Sequence, residues 1–320
     1  MGIRLLNKYI KNNCKNAIKI IHMGELKGKY IAIDTSIYLY RFLQEEVLLE
    51  NFYLLLSLLK FYNINAIFVF DGKPPEEKYK LIEKRNSTKE VAKSEYKKLE
   101  NKMEKFTVDC EEKYIIQNEM AELRKKFVKI EKTHIETIKN LINAFGESYI
   151  DAEGEADQLC AKLVIKKVAY ACLSEDMDLF LYGCPRVLRY LSLLNETMVM
   201  YNLSEILNEL KINLTEFRQI CVLSGTDYND NGVDLYKSIE IYNNYKNDNS
   251  KNINDFYTWI ERNSNNINAN ISPNIIELYL INNMFLLDNI NLNKYKIHKP
   301  LINKNIIKEI MREDGFIFVN

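Results

Sequence analysis

An α/β fold, with a central, mainly parallel sheet flanked by helices, is what this 320-residue chain predicts. Three observations lead there. Short apolar runs alternate with stretches of helical character, which argues for strands joined by helical crossovers. The runs "YIAID", "AIFVF" and "VAYACL" are too short for helices and read as buried strands. Each of them ends on, or just before, an acid.

In chain order, "KGKYIAIDTSIYLYRFL" is a strand closing on Asp34 and then a helix, and a second apolar helix runs through "FYLLLSLLKFY". "NAIFVFDGKPP" is a strand closing on Asp71; Pro74 and Pro75 are expected in the first turn of the next helix, where a missing N–H costs nothing. From Glu76 to about Ile130 the chain is dense in Lys and Glu and reads as long, solvated helices projecting from the body. "KTHIETIKNLINAFG" is an amphipathic helix, "SYIDA" a short strand, "GEADQLCAKLVIKK" a helix and "VAYACLSEDMD" a strand with an acidic end. "RVLRYL" and "TMVMYN" are strands, "LTEFRQICVLSGTDYNDNG" is a helix running into a loop, and the Asn-rich remainder from Tyr236 is helical.

Composition narrows the function classes. With 47% hydrophobic and 28% charged residues the chain is ordinary globular protein. Its formal net charge is zero, so affinity for phosphates must come from local patches. Six cysteines at scattered spacings, with no CxxC pair and no signal peptide, imply free thiols in a reducing compartment. Gly2 is followed by Leu6 where myristoylation needs Ser or Thr, and no apolar stretch is long enough to span a bilayer. His22, His134 and His298 are isolated, so zinc spacing is absent, and so is a Walker loop.

The acids carry the chemistry. Asp34, Asp71 and the pair Asp176/Asp178 stand at strand ends; Asp151, Glu153, Glu155 and Asp157 follow a fourth strand in "DAEGEAD"; Asp227 lies in the loop "LSGTDY". In a parallel α/β sheet the strand carboxyl ends share one edge, where ligands bind, so these acids converge. Carboxylates packed together repel and must be protonated or neutralised. Divalent cations do this, and an all-oxygen donor set suits Mg²⁺ or Mn²⁺. Singly, each acid has a plainer role: Glu155 and Asp157 in a helix first turn, Asp34 and Asp71 as caps, Asp227 in a turn. Together, at the same end of every central strand, they point to metal.

"FDGKPPEEKYKLIEKR" adds Lys78 and Arg85, seven apart and nearly in line on one helix face. Aimed at the acids, they would hold a scissile phosphate and offset charge developing in the transition state. Glu77, Lys80, Glu83 and Lys84 around them also fit a merely solvated helix. Acids that gather two metals beneath Lys and Arg suit phosphodiester hydrolysis.

These motifs together resemble the flap endonuclease branch of the XPG-like 5′-nuclease family. The pieces "AIDTSIYLYRF", "FVFDGKPP", "KFVKIEKTHIETIKNLINAFGESYIDAEGEA", "SEDMDLFLYGCPRVLRYL" and "LSGTDY" follow the family's order, and the match runs from "MGI" to about Tyr245. The resemblance implies a structure-specific 5′ nuclease that cuts DNA near 5′ single-strand/duplex junctions with two Mg²⁺ ions, or Mn²⁺ in their place. It leaves open flap cutting, 5′-exonuclease action and junction resolution, of which the long arch segment favours the first. It places seven metal-binding carboxylates on Asp34, Asp71, Glu155, Asp157, Asp176, Asp178 and Asp227, with Asp157 where the family usually has Glu. It puts the catalytic Lys and Arg on Lys78 and Arg85, an aromatic that stacks on a substrate base on Tyr40, and a processed N-terminus held near the DNA on Gly2. It divides the chain into an N-terminal nuclease region, 1–85; a helical arch, 86–130; an internal nuclease region, 131–235; and a helical C-terminal region, 236–320, with 1–235 forming one compact domain. The expected partner is branched or flapped DNA. It is met by a monomer in the nucleus or at a cytoplasmic site of replication, or, for a viral chain, in host cytoplasm or virion.

The chain also departs from the pattern. The segment from Arg41 to Asn65 is shorter than in cellular relatives, which puts 3′-flap selectivity in doubt. Of the family's Gly-rich helix–hairpin–helix only Gly232, Val233 and Lys237 are echoed, which implies a weaker duplex grip and a weaker K⁺ site. A sliding-clamp peptide is not seen in the tail. Two other readings stand beside the nuclease. A non-catalytic DNA-binding relative would gain nothing from the complete set of repelling acids, and a PIN-like ribonuclease would need neither the arch nor Asp227.

Overall fold

The computed structural model describes residues 2–105, 110–229, 233–248, 255–263 and 274–318. Helix α1 (Leu6–Asn13) buries Leu6 and Ile10, and β1 (Ile18–His22) follows. The sequence reading leaves out both. In β1 only Ile21 is buried while Ile20 is exposed, so a strand at the sheet edge shows no clean alternation. Then come β2 (Tyr30–Asp34), α2 (Thr35–Gln44), α3 (Leu48–Phe61) and β3 (Asn65–Phe70). The long α4 (Tyr79–Lys105) and α5 (Cys110–Lys126) pack against each other, with Ala92 and Ile116 buried. They lead to α6 (Lys132–Ala144), β4 (Ser148–Asp151), α7 (Ala156–Ile165), β5 (Ala171–Leu173) and the one-turn α8 (Asp178–Leu181). The rest is β6 (Arg186–Ser192), β7 (Thr197–Asn202), α9 (Leu203–Leu210), α10 (Leu214–Ser224), α11 (Leu235–Asn247), α12 (Phe256–Asn263), α13 (Ile275–Met284) and α14 (Lys304–Glu313).

One seven-stranded sheet has the order β1-β7-β6-β5-β2-β3-β4. Strands β6, β5, β2, β3 and β4 are parallel, and β7 pairs antiparallel with β6 and β1. Alternate residues of the central strands feed two cores, as the strand period of two requires. Ile31, Ile33, Phe68, Phe70 and Leu173 join α2, α3, α6 and α14 on one face. Ala32, Ile67, Val69 and Cys172 join α1, α7, α8 and α10 to α13 on the other. Helices beyond residue 235 thus complete both cores: α14 supplies Ile307 and Met311 to the first, and α11 and α12 supply Tyr242, Phe256 and Tyr257 to the second.

The connections position the site. From β2 the chain crosses to β3 and β4 through helices on one face, then returns through α7, on the opposite face, to β5 on the far side of β2. The strand order reverses beside β2, and at such a point the carboxyl-end loops part to leave a crevice. Pro74 and Pro75 differ from expectation. Pro75 is extended (φ −67°, ψ 156°) and precedes a single 3₁₀ turn, Glu76–Lys78, so α4 begins only at Tyr79. A residue before proline is driven out of the helical region, which keeps this segment extended.

Candidate active site

Asp34 ends β2, Asp71 follows β3, and Asp176 follows β5, so three neighbouring parallel strands deliver their acids to one edge. Glu155 stands at the N-cap of α7 and Asp157 in its first turn. All five line a cleft of about 360 Å³ together with Asp227, Tyr40, Lys78 and Arg85. Asp178, at the start of α8, lies directly behind Asp176: its N–H donates to Asp176 Oδ1 at 3.0 Å. Ile82, Arg85, Asn86 and Lys89 of α4 form the roof.

Gly72 explains how Asp71 and Glu155 meet. Its N–H donates to Gly154 O at 2.7 Å, and a Cβ built on it would lie 2.1 Å from Ala152 O. Only glycine permits that backbone approach. It leaves Asp71 Oδ1 accepting the Ala156 N–H at 2.8 Å. Gly72→Ala is therefore expected to push the two loops apart and to lower cleavage by about a hundredfold, the scale of a misplacement near 1 Å. A rate within twofold of the parent in a single-turnover assay would contradict this.

Ser174 ties two acids together: its hydroxyl donates to Asp34 Oδ2 at 3.0 Å and accepts the Asp176 N–H at 3.1 Å. Tyr228 donates to Glu155 Oε2 at 2.6 Å and meets the Tyr182 hydroxyl at 3.1 Å. Sequence reasoning missed both; their only signal is adjacency to an acid in "LSEDMD" and "GTDY". Lys89, also missed, places its ammonium 5.1 Å from the centre of the Tyr40 ring.

Lys78 and Arg85 do converge, though not as one helix face, because Lys78 closes the 3₁₀ turn. Lys78 is ion-paired with Glu155 and stands 3.9 Å from Asp227 Oδ2, which Arg85 reaches at 2.8 Å. Burial alone would lower the Lys78 pKa, but Asp157, Glu155 and Asp227 outweigh it and raise it, so the ammonium stays charged.

The acids show the opposite balance. Burial, first of all, raises the pKa of Asp34, Asp157, Asp176 and Asp178; Asp71 adds to the rise of Asp34, Glu155 to that of Asp157, and Asp176 to that of Asp178. Asp178 Oδ1 is buried with no hydrogen-bond partner. A backbone atom of the chain start is pressed against the same pair: a Cβ on Gly2 would fall 2.4 Å from Asp178 Oδ1 and 2.6 Å from Asp176 Oδ1. As the side chains lie, no three acids among the described residues enclose a point suited to a metal ion. Glu155 and Asp227 are turned onto Lys78 and Arg85, and Asp71 onto a backbone N–H. The donor set still fits hard divalent cations: it is all oxygen, it is crowded with like charge, and it leaves one buried carboxylate oxygen without a partner.

Other acids of the motifs, and Lys237 among the predicted residues, lie outside the cleft. Glu175, the first acid of "SEDMD", turns away to Arg189. Asp151 pairs with Lys139 and Glu153 with Lys294. Lys237 sits in the first turn of α11, paired with Glu240, and does not line the cleft. Gly232 lies outside the described residues.

Comparison with known proteins follows the same geography. The XPG N-terminal domain model matches residues 1–92 and the XPG I-region model residues 146–227. The chain belongs to the XPG family. The six cleft acids and Asp178 behind them, with Tyr40, Lys78 and Arg85, fall inside the two XPG regions, whereas Gly232 and Lys237 fall outside. Flap endonuclease 1-A of Oryza sativa subsp. japonica is 32% identical over 249 residues, covering 72% of this chain and 62% of its own length. Flap endonuclease 1 of Methanococcus aeolicus is 30% identical over 252 residues, covering 73% of this chain and 71% of its own. The first of these relatives is thus matched over less than two thirds of its length. Among solved structures, the catalytic core of Rad2 in complex with DNA substrate superposes with a TM-score of 0.69 at 19% identity, over 98% of this chain and 96% of that one. GEN1 in complex with product DNA and Mg²⁺ ion gives 0.59 at 17% identity, over 96% and 72%. These establish a shared fold. No described helix is long and apolar enough to cross a membrane.

Proposed function

We propose that this chain is a metal-dependent, structure-specific 5′ nuclease that hydrolyses DNA near 5′ single-strand/duplex junctions, in replication, repair or recombination. The observation that carries it is the gathering of acids from separate stretches of sequence at one sheet edge, with Lys78 and Arg85 reaching in from the roof. Asp34, Asp71, Glu155, Asp157, Asp176, Asp178 and Asp227 would hold two divalent ions, Mg²⁺ or Mn²⁺. Bound there, the ions supply a water of lowered pKa and a charge facing the leaving oxygen. The chain's own groups do the rest. Lys78 and Arg85 hold the scissile phosphate. Tyr40, 40% exposed at the cleft mouth, offers its ring to a base, a contact that tolerates any sequence. The helix pair of α4, which roofs the cleft, and α5, packed against it, encloses the free 5′ strand.

A labelled 5′-flap DNA tests this directly. Cleavage near the junction is expected in Mg²⁺ and none in EDTA, and a bulky group on the 5′ end should stop it. Binding without cutting would indicate an inactive relative, and preference for single-stranded RNA a PIN-like ribonuclease. Undiminished cutting of the blocked flap would remove the enclosing role of α4 and α5.

A further inference from the structure

Behind the acidic loop stands a charged residue for which the cleft chemistry has no use. Arg189 of β6 is only 6% exposed. Its Nη2 donates to the Glu175 carbonyl at 2.9 Å, its Nε lies 3.5 Å from Glu175 Oε2, and its Nη1 donates to Asn7 Oδ1 at 2.8 Å and also meets Met177 Sδ. Tyr190 completes the hold: its N–H donates to Glu175 Oε1 at 2.6 Å. That N–H is aimed by an irregularity. The β6–β7 register slips between Arg189 and Ser192, and Tyr190 adopts φ +55°, a left-handed conformation unusual for an aromatic residue. Asn7 of α1 braces the assembly, donating to the Tyr190 hydroxyl at 2.6 Å and accepting from the Tyr201 hydroxyl at 3.0 Å.

We propose that Arg189, with the bulged Tyr190, is a positioning device that fixes the residues flanking Asp176, Glu175 and Met177, and thereby holds Asp176 and Asp178 at the metal edge. In "SEDMD", Glu175 and Met177 go to Arg189, while Asp176 lines the cleft and Asp178 lies directly behind it. Glu175 is the anchor of the loop and takes no part in the donor set. Strained backbone is retained where the surroundings over-determine it, and here it serves the groups that must not move. A buried guanidinium that donates to one carbonyl and one amide, with a carboxylate at ion-pair distance, fixes a loop more narrowly than an ammonium can.

The inference rests on the metal-site reading above, so its test measures ion binding without DNA or turnover. Mn²⁺ titration by calorimetry, with melting curves in EDTA, is run on the parent, on Arg189→Met and on Arg189→Met/Glu175→Gln. Arg189→Met is expected to weaken Mn²⁺ binding by about 10–100-fold, the usual effect of losing a partner that orients metal ligands. It should also lower Tm, because Arg189 is buried and the half-buried Glu175 carboxylate loses its cation. The double variant removes that stranded charge and should recover most of the Tm while Mn²⁺ binding stays weak. Parent-like Mn²⁺ affinity in the double variant, or affinity that returns in step with Tm, would show that Arg189 only stabilises the fold. A parent that binds no Mn²⁺ would overturn the metal site itself, and the positioning role with it.

Discussion

Asp178→Asn is expected to abolish cleavage of a 5′-flap substrate while raising the melting temperature of the metal-free protein. The carboxylate is 1% exposed, and Oδ1 has no hydrogen-bond partner. Burial raises its pKa, and Asp176 and Asp227 raise it further. The sign follows from linkage: a carboxyl whose folded-state pKa lies above its unfolded value favours folding while protonated. That contribution is complete below the unfolded pKa, about 4, and is lost as pH rises through the folded value. Above the unfolded value the unfolded chain is ionised, while the folded group must either take up a proton or bear a buried charge, so it works against the fold, and an amide of the same shape relieves it. Each kcal/mol of relief is worth roughly 2–4 °C in Tm for a sizeable domain. Divalent ions should narrow the gap, since they stabilise the parent and not the variant. DNA affinity should hold, because phosphate contacts elsewhere carry it. The checks are flap cleavage in Mg²⁺, binding in EDTA, and melting curves in EDTA and in Mg²⁺. A variant that melts lower than the parent in EDTA would mean that Asp178 is already compensated by some other group.

Much of this was legible in the sequence because strand ends are legible. "YIAID" and "AIFVF" announce buried strands, and the acid at or after each end is placed by parallel topology rather than by any single contact. The alternation of strands and helices likewise gave the sheet and its flanking layers. What could not be read depends on direction and on distance. Glu175, Asp176 and Asp178 look alike in one dimension, yet the first faces Arg189, the second lines the cleft and the third lies buried behind it. The difference is made by a bulge beginning at Arg189, beyond the motif in sequence, which leaves no mark on "SEDMD". β1 went unread because an edge strand that buries one isoleucine has almost no pattern. Ser174 and Tyr228 went unread because a hydroxyl beside an acid is common, and only coordinates show which hydroxyl bridges. The helix starts later than the sequence suggests because a proline pair suits both a first turn and an extended lead-in, and here it forms the lead-in.

Lys78→Ala should lower the cleavage rate by about a hundredfold or more, the scale of removing one preorganised charge from the transition state. Lys78 is the better placed of the two cations: its side chain is 11% exposed against 43% for Arg85, so solvent screens it less. The same substitution should destabilise the metal-free protein, opposite in sign to Asp178→Asn, because Glu155 and Asp227 lose a buried counter-ion. Mg²⁺ should restore much of the lost Tm without restoring the rate, since ions at the carboxylates replace the ammonium as counter-charge but not as a phosphate ligand. Lys78→Met separates charge from packing: it keeps most of the buried stem, so its rate should fall with that of Lys78→Ala. Equal rates for Lys78→Met and the parent would assign the lysine to neutralising the acids alone. The cleft would then have to stabilise the transferred phosphate through Arg85 and the metal ions only.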